Sequence, residues 1–274
     1  MNQKSINLLT SLSTYLNDNP KAITLNQINK VSKVGVNDKE ALRILLNEYL
    51  EGDFSLLNDY YSQIVNLQKE TDYTEDLYYK QVKFKNKKFK NIEIKIDKYD
   101  PYELFVYDDF SYIDGYVIPK IGYFKKPFYY PAIYENGNMW MSITPNEINT
   151  ISKAIKKASG NVLTFGLGLG YFAFMASIKN EVSSVTIIEK NPKTIEIFKE
   201  YIFSFFKYKH KINIICIDAY EYIKEMKSFD YIFVDIYHDA SDGILCYKKM
   251  MKNPKIKDAN VDFWIYDTIK YYLD

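Results

Sequence analysis

The chain has 274 residues, 47 % of them hydrophobic, and a formal net charge of +1. That length suits one large domain or two modest ones with a substantial core, and so small a net charge excludes a global field steering the protein to nucleic acid or an anionic membrane. Arg43 is the only arginine, so bidentate guanidinium recognition of phosphate or carboxylate is nearly absent.

Two cysteines, Cys216 and Cys246, argue against a disulfide scaffold. Cys216 falls in an apolar run and reads as a buried thiol. The start holds no paired basic and apolar segments of a signal peptide. No apolar run approaches the ~18 residues needed to span a bilayer. The expectation is a reduced, cytoplasmic, soluble protein.

Residues 1–72 read as a helical segment. Leu8, Leu9, Leu12 and Leu16 fall at helical spacing, as do Leu42, Leu45, Leu46 and Tyr49, then Leu57, Tyr60, Tyr61, Ile64 and Val65. Asn37 with Glu40 makes a capping-box pattern, and Gly35 suits the end of a shorter helix from Leu25 to Lys33. A short helix, a turn and a longer helix resemble a helix-turn-helix unit. The longer helix opens Asn37-Asp38-Lys39-Glu40, however, which is not basic, whereas a DNA-reading helix needs cationic neighbours for phosphates, so a helical packing layer is expected.

Residues 73–143 read as a β-rich region. Gln81 to Lys85 and Asn91 to Asp97 alternate apolar and polar residues, with Asn86-Lys87-Lys88 suited to the loop of a hairpin. Glu135-Asn136-Gly137-Asn138 joins two further apolar runs, and Asn-Gly is a strong hairpin signal. Lysines at 83, 85, 87, 88, 90 and 95 interleave with Phe84 and Phe89. A solvated outer sheet face is expected there rather than a nucleic-acid surface.

Residues 144–274 alternate strand and helix patterns. Thr144-Pro145-Asn146-Glu147 is a helix start, with Thr as the cap, Pro in the first turn and Glu at the capping-box position. Strands are expected at 162–165, 185–189, 212–217, 231–236 and 263–266. Helices are expected near 171–178, 193–206, 219–227, 241–251 and 268–273. This alternation implies an α/β fold with a short, doubly wound, Rossmann-like parallel sheet of about five core strands.

The first strand of that series enters Gly166-Leu167-Gly168-Leu169-Gly170, and the second ends in Glu189. Strand, glycine turn, helix, strand and acid are the parts of a nucleotide-binding βαβ unit. Tyr171 stands where a dinucleotide fingerprint wants a small residue, and no Gly-Lys-Ser/Thr follows as in a Walker loop.

This stretch resembles the class I S-adenosylmethionine-dependent methyltransferases. The likeness rests on Val162 to Gly170, on Glu189, on Ile217-Asp218-Ala219 and on Phe229 to Asp235. It implies cofactor contacts at Gly166, Leu167, Gly168 and Gly170, with Glu189 and the adjoining Lys190 at the ribose. It further implies contacts from Asp218 and Ala219 beside the adenine and from Asp235 at the edge of the sheet. The organisation is also similar to the polyamine aminopropyltransferases of the spermidine-synthase type, which place a small β-rich domain ahead of such a core. This chain departs from them in having leucines within its glycine turn and no Asp-Ser/Thr…Pro after the fourth strand.

Asp235, Tyr237 and His238 are the candidate catalytic residues. They follow the fourth strand, where the resemblance implies the transferred group would lie. An ordinary imidazole pKa of about 6.5 suits a general base, and a carboxylate suits an amine acceptor or its proton. Asp235, His238, Asp239 and Asp242 also read as helix capping and solvation, and no metal is expected. Trp140, just ahead of this region, reads equally as substrate lining or as an interface aromatic. The leading expectation is methyl transfer to a small molecule, with aminopropyl transfer and a non-catalytic cofactor-binding or regulatory protein as alternatives. Neither nucleic acid nor membrane is an expected partner, and homodimerisation is left open.

Overall fold

Asn2 opens the first helix, α1 (Gln3–Asp18), by accepting a hydrogen bond from the Ser5 N–H, and Leu8, Leu12 and Tyr15 bury one stripe of it. The computed structural model describes residues 1–50, 52, 55–89 and 91–273. The chain divides into two compact units, one of residues 1–73 with 97–130 and the other of 74–96 with 131–274. The β-rich stretch 73–143 is thus shared between them.

Thr24 and Gln27 cap α2 (Leu25–Ser32) reciprocally. Gly35, at φ +97°, turns the chain toward α3 (Asp38–Tyr49). Asn37 caps α3 by accepting from the Glu40 N–H, but the Glu40 carboxylate pairs with Arg43 instead of completing the box. One face of α3 is buried through Ala41, Leu42, Leu45 and Leu46. Its first turn holds Asp38, which accepts from the Tyr102 hydroxyl at 2.9 Å and pairs with Lys125 at 2.6 Å. The helix is therefore a packing element with an acidic start. Short elements follow: α4 (Ser55–Asp59), α5 (Tyr61–Ile64), β1 (Val65–Leu67) and α6 (Glu70–Thr74).

Next come α7 (Leu77–Gln81), β2 (Lys87–Phe89), β3 (Ile92–Tyr99), β4 (Phe105–Ile113), β5 (Tyr116–Tyr123), β6 (Phe128–Glu135) and β7 (Asn138–Ser142). They form sheets of order β1-β5-β4 and β2-β3-β6-β7. The hairpin expected from Gln81 is displaced. Gln81 ends α7, and pairing starts at Lys87 opposite Ile94. The reason is burial: Ile92 and Ile94 face the core, while the Asn86 side chain accepts from the Ile96 N–H at 2.9 Å. Lys90 and the Phe89 side chain lie outside the described residues. The Asn136-Gly137 turn between β6 and β7 has positive φ at both residues, as a two-residue hairpin requires.

The second unit continues with α8 (Pro145–Lys157), β8 (Gly160–Phe165), α9 (Tyr171–Ser177), β9 (Val182–Glu189), α10 (Pro192–Ile197), β10 (Ile212–Cys216), α11 (Ala219–Glu225), β11 (Tyr231–Val234), α12 (Ala240–Met250), α13 (Pro254–Lys257), β12 (Val261–Phe263) and α14 (Tyr266–Ile269). The five strands pair in the order β10-β9-β8-β11-β12, all parallel. The fold is α/β with a doubly wound, Rossmann-like sheet. Chain direction across the sheet reverses between β8 and β11, and in such sheets ligands bind at the carboxyl ends of the strands at that point.

Three local expectations are corrected. The helix expected over 193–206 stops at Ile197 and continues as a π turn (Phe198–Ile202) and a 3₁₀ turn (Phe203–Phe205). The last strand stops at Phe263, because Ile265 adopts φ +46° and bends the chain into α14. Cys216 is exposed rather than buried, since β10 is an edge strand.

Candidate functional site

The site begins where β8 runs out. Gly166 donates to the Ile188 carbonyl at 2.9 Å and adopts φ +100°. A Cβ there would lie 1.9 Å from the Asp235 carbonyl oxygen. At Gly170, φ +78°, a Cβ would meet the Phe198 ring at 2.4 Å. Packing therefore demands both glycines. Gly168 differs: at φ +51° its missing Cβ has nothing within 4 Å. Leu167 and Leu169 are buried, so the turn anchors itself with apolar side chains and leaves Gly168 facing open space.

Glu189, at the end of β9, holds the turn from one side. Its Oε2 accepts from the Leu167 N–H at 3.3 Å and its Oε1 from the Asn191 N–H at 2.8 Å. A carboxylate has about four acceptor positions, so each oxygen keeps capacity for a further donor. Lys190 beside it is exposed. Asp218 caps α11 by accepting from the Tyr220 and Glu221 N–H groups, and Ala219 behind it is buried. These residues stand at the carboxyl ends of β9 and β10.

On the other side of β8, Asp235 follows β11 and donates its N–H to the Phe165 carbonyl at 2.8 Å. Burial pushes its carboxyl pKa up to about 7. Glu147, in the first turn of α8, is raised well above the usual carboxylate range, first by burial and then by the Asp235 charge. Thr150, one turn along the same face of α8, accepts from the Trp264 indole N–H at 2.8 Å. Trp264 in turn donates its backbone N–H to Val234, the residue before Asp235. This chain of bonds fixes the Glu147 face of α8 against the edge of β11.

Helix α7 closes another side. The Tyr78 hydroxyl donates to the Leu169 carbonyl inside the glycine turn, and its ring stacks edge-on against Tyr171 and Phe174. The Tyr171 hydroxyl donates to Asp76 at 3.1 Å, and the Tyr79 hydroxyl donates to Ile143 just ahead of α8. Burial raises the Asp76 carboxyl despite these donors. Tyr171 has Asp76 and Glu147 as charged neighbours.

The structure brings the glycine turn, Glu189 and Asp235 together, and it separates the other two catalytic candidates in character. Tyr237 is buried, with its hydroxyl donating to the Trp264 carbonyl and its ring packed so tightly on Gly243 that a Cβ there would lie 2.8 Å from it. His238 is an exposed surface residue, its side chain 71 % accessible, with Nδ1 3.3 Å from Asp242 Oδ2. Asp239 caps α12 through the Ser241 and Asp242 N–H groups. Among the described residues no cluster of His, Cys, Asp or Glu is arranged to hold a metal ion. Trp140 lies half-buried on β7.

Glu147, Asp76, Tyr78 and Trp264 were not among the candidates. Glu147 reads locally as a capping residue, yet Thr144 makes no side-chain cap bond, and burial with the nearby Asp235 charge raises the Glu147 carboxyl. The available signal was an acid one turn into a helix that leads directly to the glycine strand.

No family model matches the chain. An uncharacterized protein of Methanocaldococcus jannaschii is 35 % identical over 126 residues, which are 43 % of this chain and 43 % of that protein. The chain thus spans less than half the length of the curated relative it matches. Among solved structures, spermidine synthase from Thermotoga maritima aligns at 18 % identity and a TM-score of 0.31, over 43 % of this chain and 44 % of that one. The M. capricolum TrmK, solved with S-adenosyl-homocysteine, aligns at 18 % identity and a TM-score of 0.32, over 38 % of this chain and 45 % of that one.

Proposed function

We propose that the second unit binds S-adenosylmethionine and transfers its methyl group to a small-molecule acceptor. The observation that carries this reading is the contrast among the three glycines. Two are required by packing, while Gly168 opens onto empty space beside Glu189, at the point where the sheet reverses. Backbone with no side chain in the way lets a ligand come close. The remaining residues fit an adenosyl group: spare acceptor positions on Glu189 suit a sugar diol, and Asp218 with Ala219 flanks the place of a base. The leucines of the turn set it apart from the aminopropyltransferase pattern and favour methyl transfer.

When bound, the cofactor supplies an electrophilic methyl on a sulfonium. The chain's own residues orient and desolvate. Glu189 and the buried Leu167 and Leu169 hold the turn rigid, and α7 shields it from one side. Asp235 is the group beside the turn able to hold or accept a proton near neutral pH. His238, on the exposed rim, would act only on an acceptor reaching outward.

Calorimetry with S-adenosylhomocysteine tests the reading. Binding is expected, weakened by Glu189→Ala. Absence of any heat or thermal shift at millimolar nucleoside would overturn it.

A further inference from the structure

We propose that the second unit carries a binding surface for a single-stranded nucleic acid, built from the lysines around β2 and those leading into β10. It goes beyond the cofactor reading and does not depend on it. Residues 83–88 and 199–211 hold eight lysines and one acid, Glu200, on a chain whose net charge is +1. The lysines from 83 to 95 taken alone are a solvated sheet face, but the fold sets a second run beside them. Lys87 on β2 lies over the Tyr201 ring in the π turn after α10, 4.3 Å from its centroid. Past Tyr201 the chain turns through Phe203, and Lys209 reaches back over the Phe203 ring at 5.8 Å. Lys207 and Lys211 both lie over Tyr208, at 5.4 and 5.1 Å. Rings and ammonium groups thus alternate from β2 to the 3₁₀ turn Lys209–Lys211.

The cations are open to a partner. Lys85, Lys88, Lys207 and Lys209 are exposed and form no ion pair among the described residues. The bordering acids do not neutralise them. Glu200 accepts from the Tyr201 hydroxyl, Glu196 adds a charge near Tyr201, and Glu93 stands opposite Lys88 on β3 without an ion pair to it. The surface also stands apart from the glycine turn: the 3₁₀ turn feeds the amino end of β10, whereas the glycines and Glu189 follow the carboxyl ends of β8 and β9.

The mixture of groups selects the partner. Lysines alone attract any polyanion. Tyr201, Phe203 and Tyr208 are half-buried, with flexible ammonium arms over their rings. A base can take such a ring face while the lysine turns to the neighbouring phosphate, which is how aromatic side chains in a basic groove hold single strands. A duplex keeps its bases stacked away from such rings, and the surface is a short strand and tight turns with no helix to enter a groove. A membrane would ask for protruding apolar side chains, and none of these aromatics is among the exposed ones. RNA and single-stranded DNA share this chemistry, so the sugar must be decided by experiment.

The test is fluorescence anisotropy of the full chain with labelled oligouridylate and oligothymidylate of about twelve nucleotides. Binding is expected, its log affinity falling against log salt with a slope of about −3 for about four neutralised phosphates. Lys85→Glu with Lys87→Glu, and Lys207→Glu with Lys209→Glu, should each weaken it at least about tenfold. Lys248→Glu with Lys252→Glu makes the same charge change on and after α12 and should stay within about twofold. Tyr208→Leu should weaken the strands at least about fivefold and leave heparin, a polyanion without bases, unchanged. The lysine variants should melt with wild type, because these side chains are exposed. Tighter binding of one strand names the preferred sugar. The proposal is overturned by equal loss in all three lysine variants, by equal affinity for a duplex, or by heparin binding that falls with Tyr208→Leu as the strands do. It is equally overturned by binding to phosphatidylserine vesicles without either strand, or by no strand binding at about 50 mM salt. None of these results bears on nucleoside binding at the glycine turn.

Discussion

The α-carbon of Gly166 rests directly on the backbone carbonyl of Asp235, leaving no room for even a methyl group between the end of β8 and the end of β11. The two strand ends at the reversal point are thereby locked together. Gly166→Ala combines a backbone clash with a left-handed φ and should cost about 3 kcal/mol. Urea denaturation would show it as a lower midpoint, and a variant as stable as wild type would mean the two strand ends can part freely.

Gly168→Ala should behave differently. Its backbone is left-handed but its surroundings are empty, so about 1 kcal/mol of stability is at stake. Its methyl would project into the space assigned to the nucleoside, and affinity for S-adenosylhomocysteine should fall at least about tenfold. The two alanine variants, compared by melting and by calorimetry, separate packing from ligand contact.

Glu189 ties Leu167 and Asn191 through their N–H groups. Glu189→Ala strands both donors and should cost about 2 kcal/mol in addition to its effect on nucleoside binding. Glu189→Gln keeps one acceptor oxygen and should recover part of the stability. If the alanine and glutamine variants melt alike, the turn is not held by this carboxylate.

Asp235 sets a pH dependence whose sign is fixed. Burial lifts its carboxyl from the ordinary value of 3.8 to about 7. Between about pH 4 and 7 the folded protein therefore keeps a proton that the unfolded chain has released. Stability from this group is complete at the acid end and is lost as pH rises through 7. Glu147, raised in the same direction, extends the trend. Asp235→Asn should flatten it: denaturation at pH 5 and pH 8 should show a smaller difference in the variant than in wild type. Identical differences would place Asp235 in contact with water.

Tyr78→Phe removes the hydroxyl that reaches the Leu169 carbonyl. The ring contacts remain, so the expected loss is about 1 kcal/mol. Hydrogen exchange at the amides of residues 167–171 should accelerate selectively, whereas a uniform change across the sheet would point to general destabilisation.

The strands of the second unit were legible because parallel strands buried on both faces read as apolar runs, as in Val162–Phe165 and Tyr231–Val234. The turn and Glu189 were legible from spacing. Glu147 was not, since Thr-Pro-Asn-Glu describes a helix start equally well whichever way the acid points. Asp76 and Tyr78 were hidden by distance, the Tyr78 hydroxyl bonding a residue 91 positions away. The register of the β2–β3 hairpin was missed because Val82 and Phe84 continue the alternation of a strand without being one. Tyr237 follows β11, but its hydroxyl donates to the Trp264 carbonyl 27 positions away, a partner no local pattern foretells.

The grip of Tyr78 on the glycine turn also bears on how the chain is made. Residues 74–96 leave the ribosome well before β8 exists, and the partner they are shaped for is not yet synthesised. Until Leu169 and Tyr171 emerge, Tyr78 and Phe84 must stay unburied or find a temporary shelter. Completion of the second unit therefore waits on a long-range closure, which slows folding. A fragment beginning at Pro145 would leave the Tyr171 ring and hydroxyl bare and should aggregate on refolding unless residues 74–96 are added back in trans.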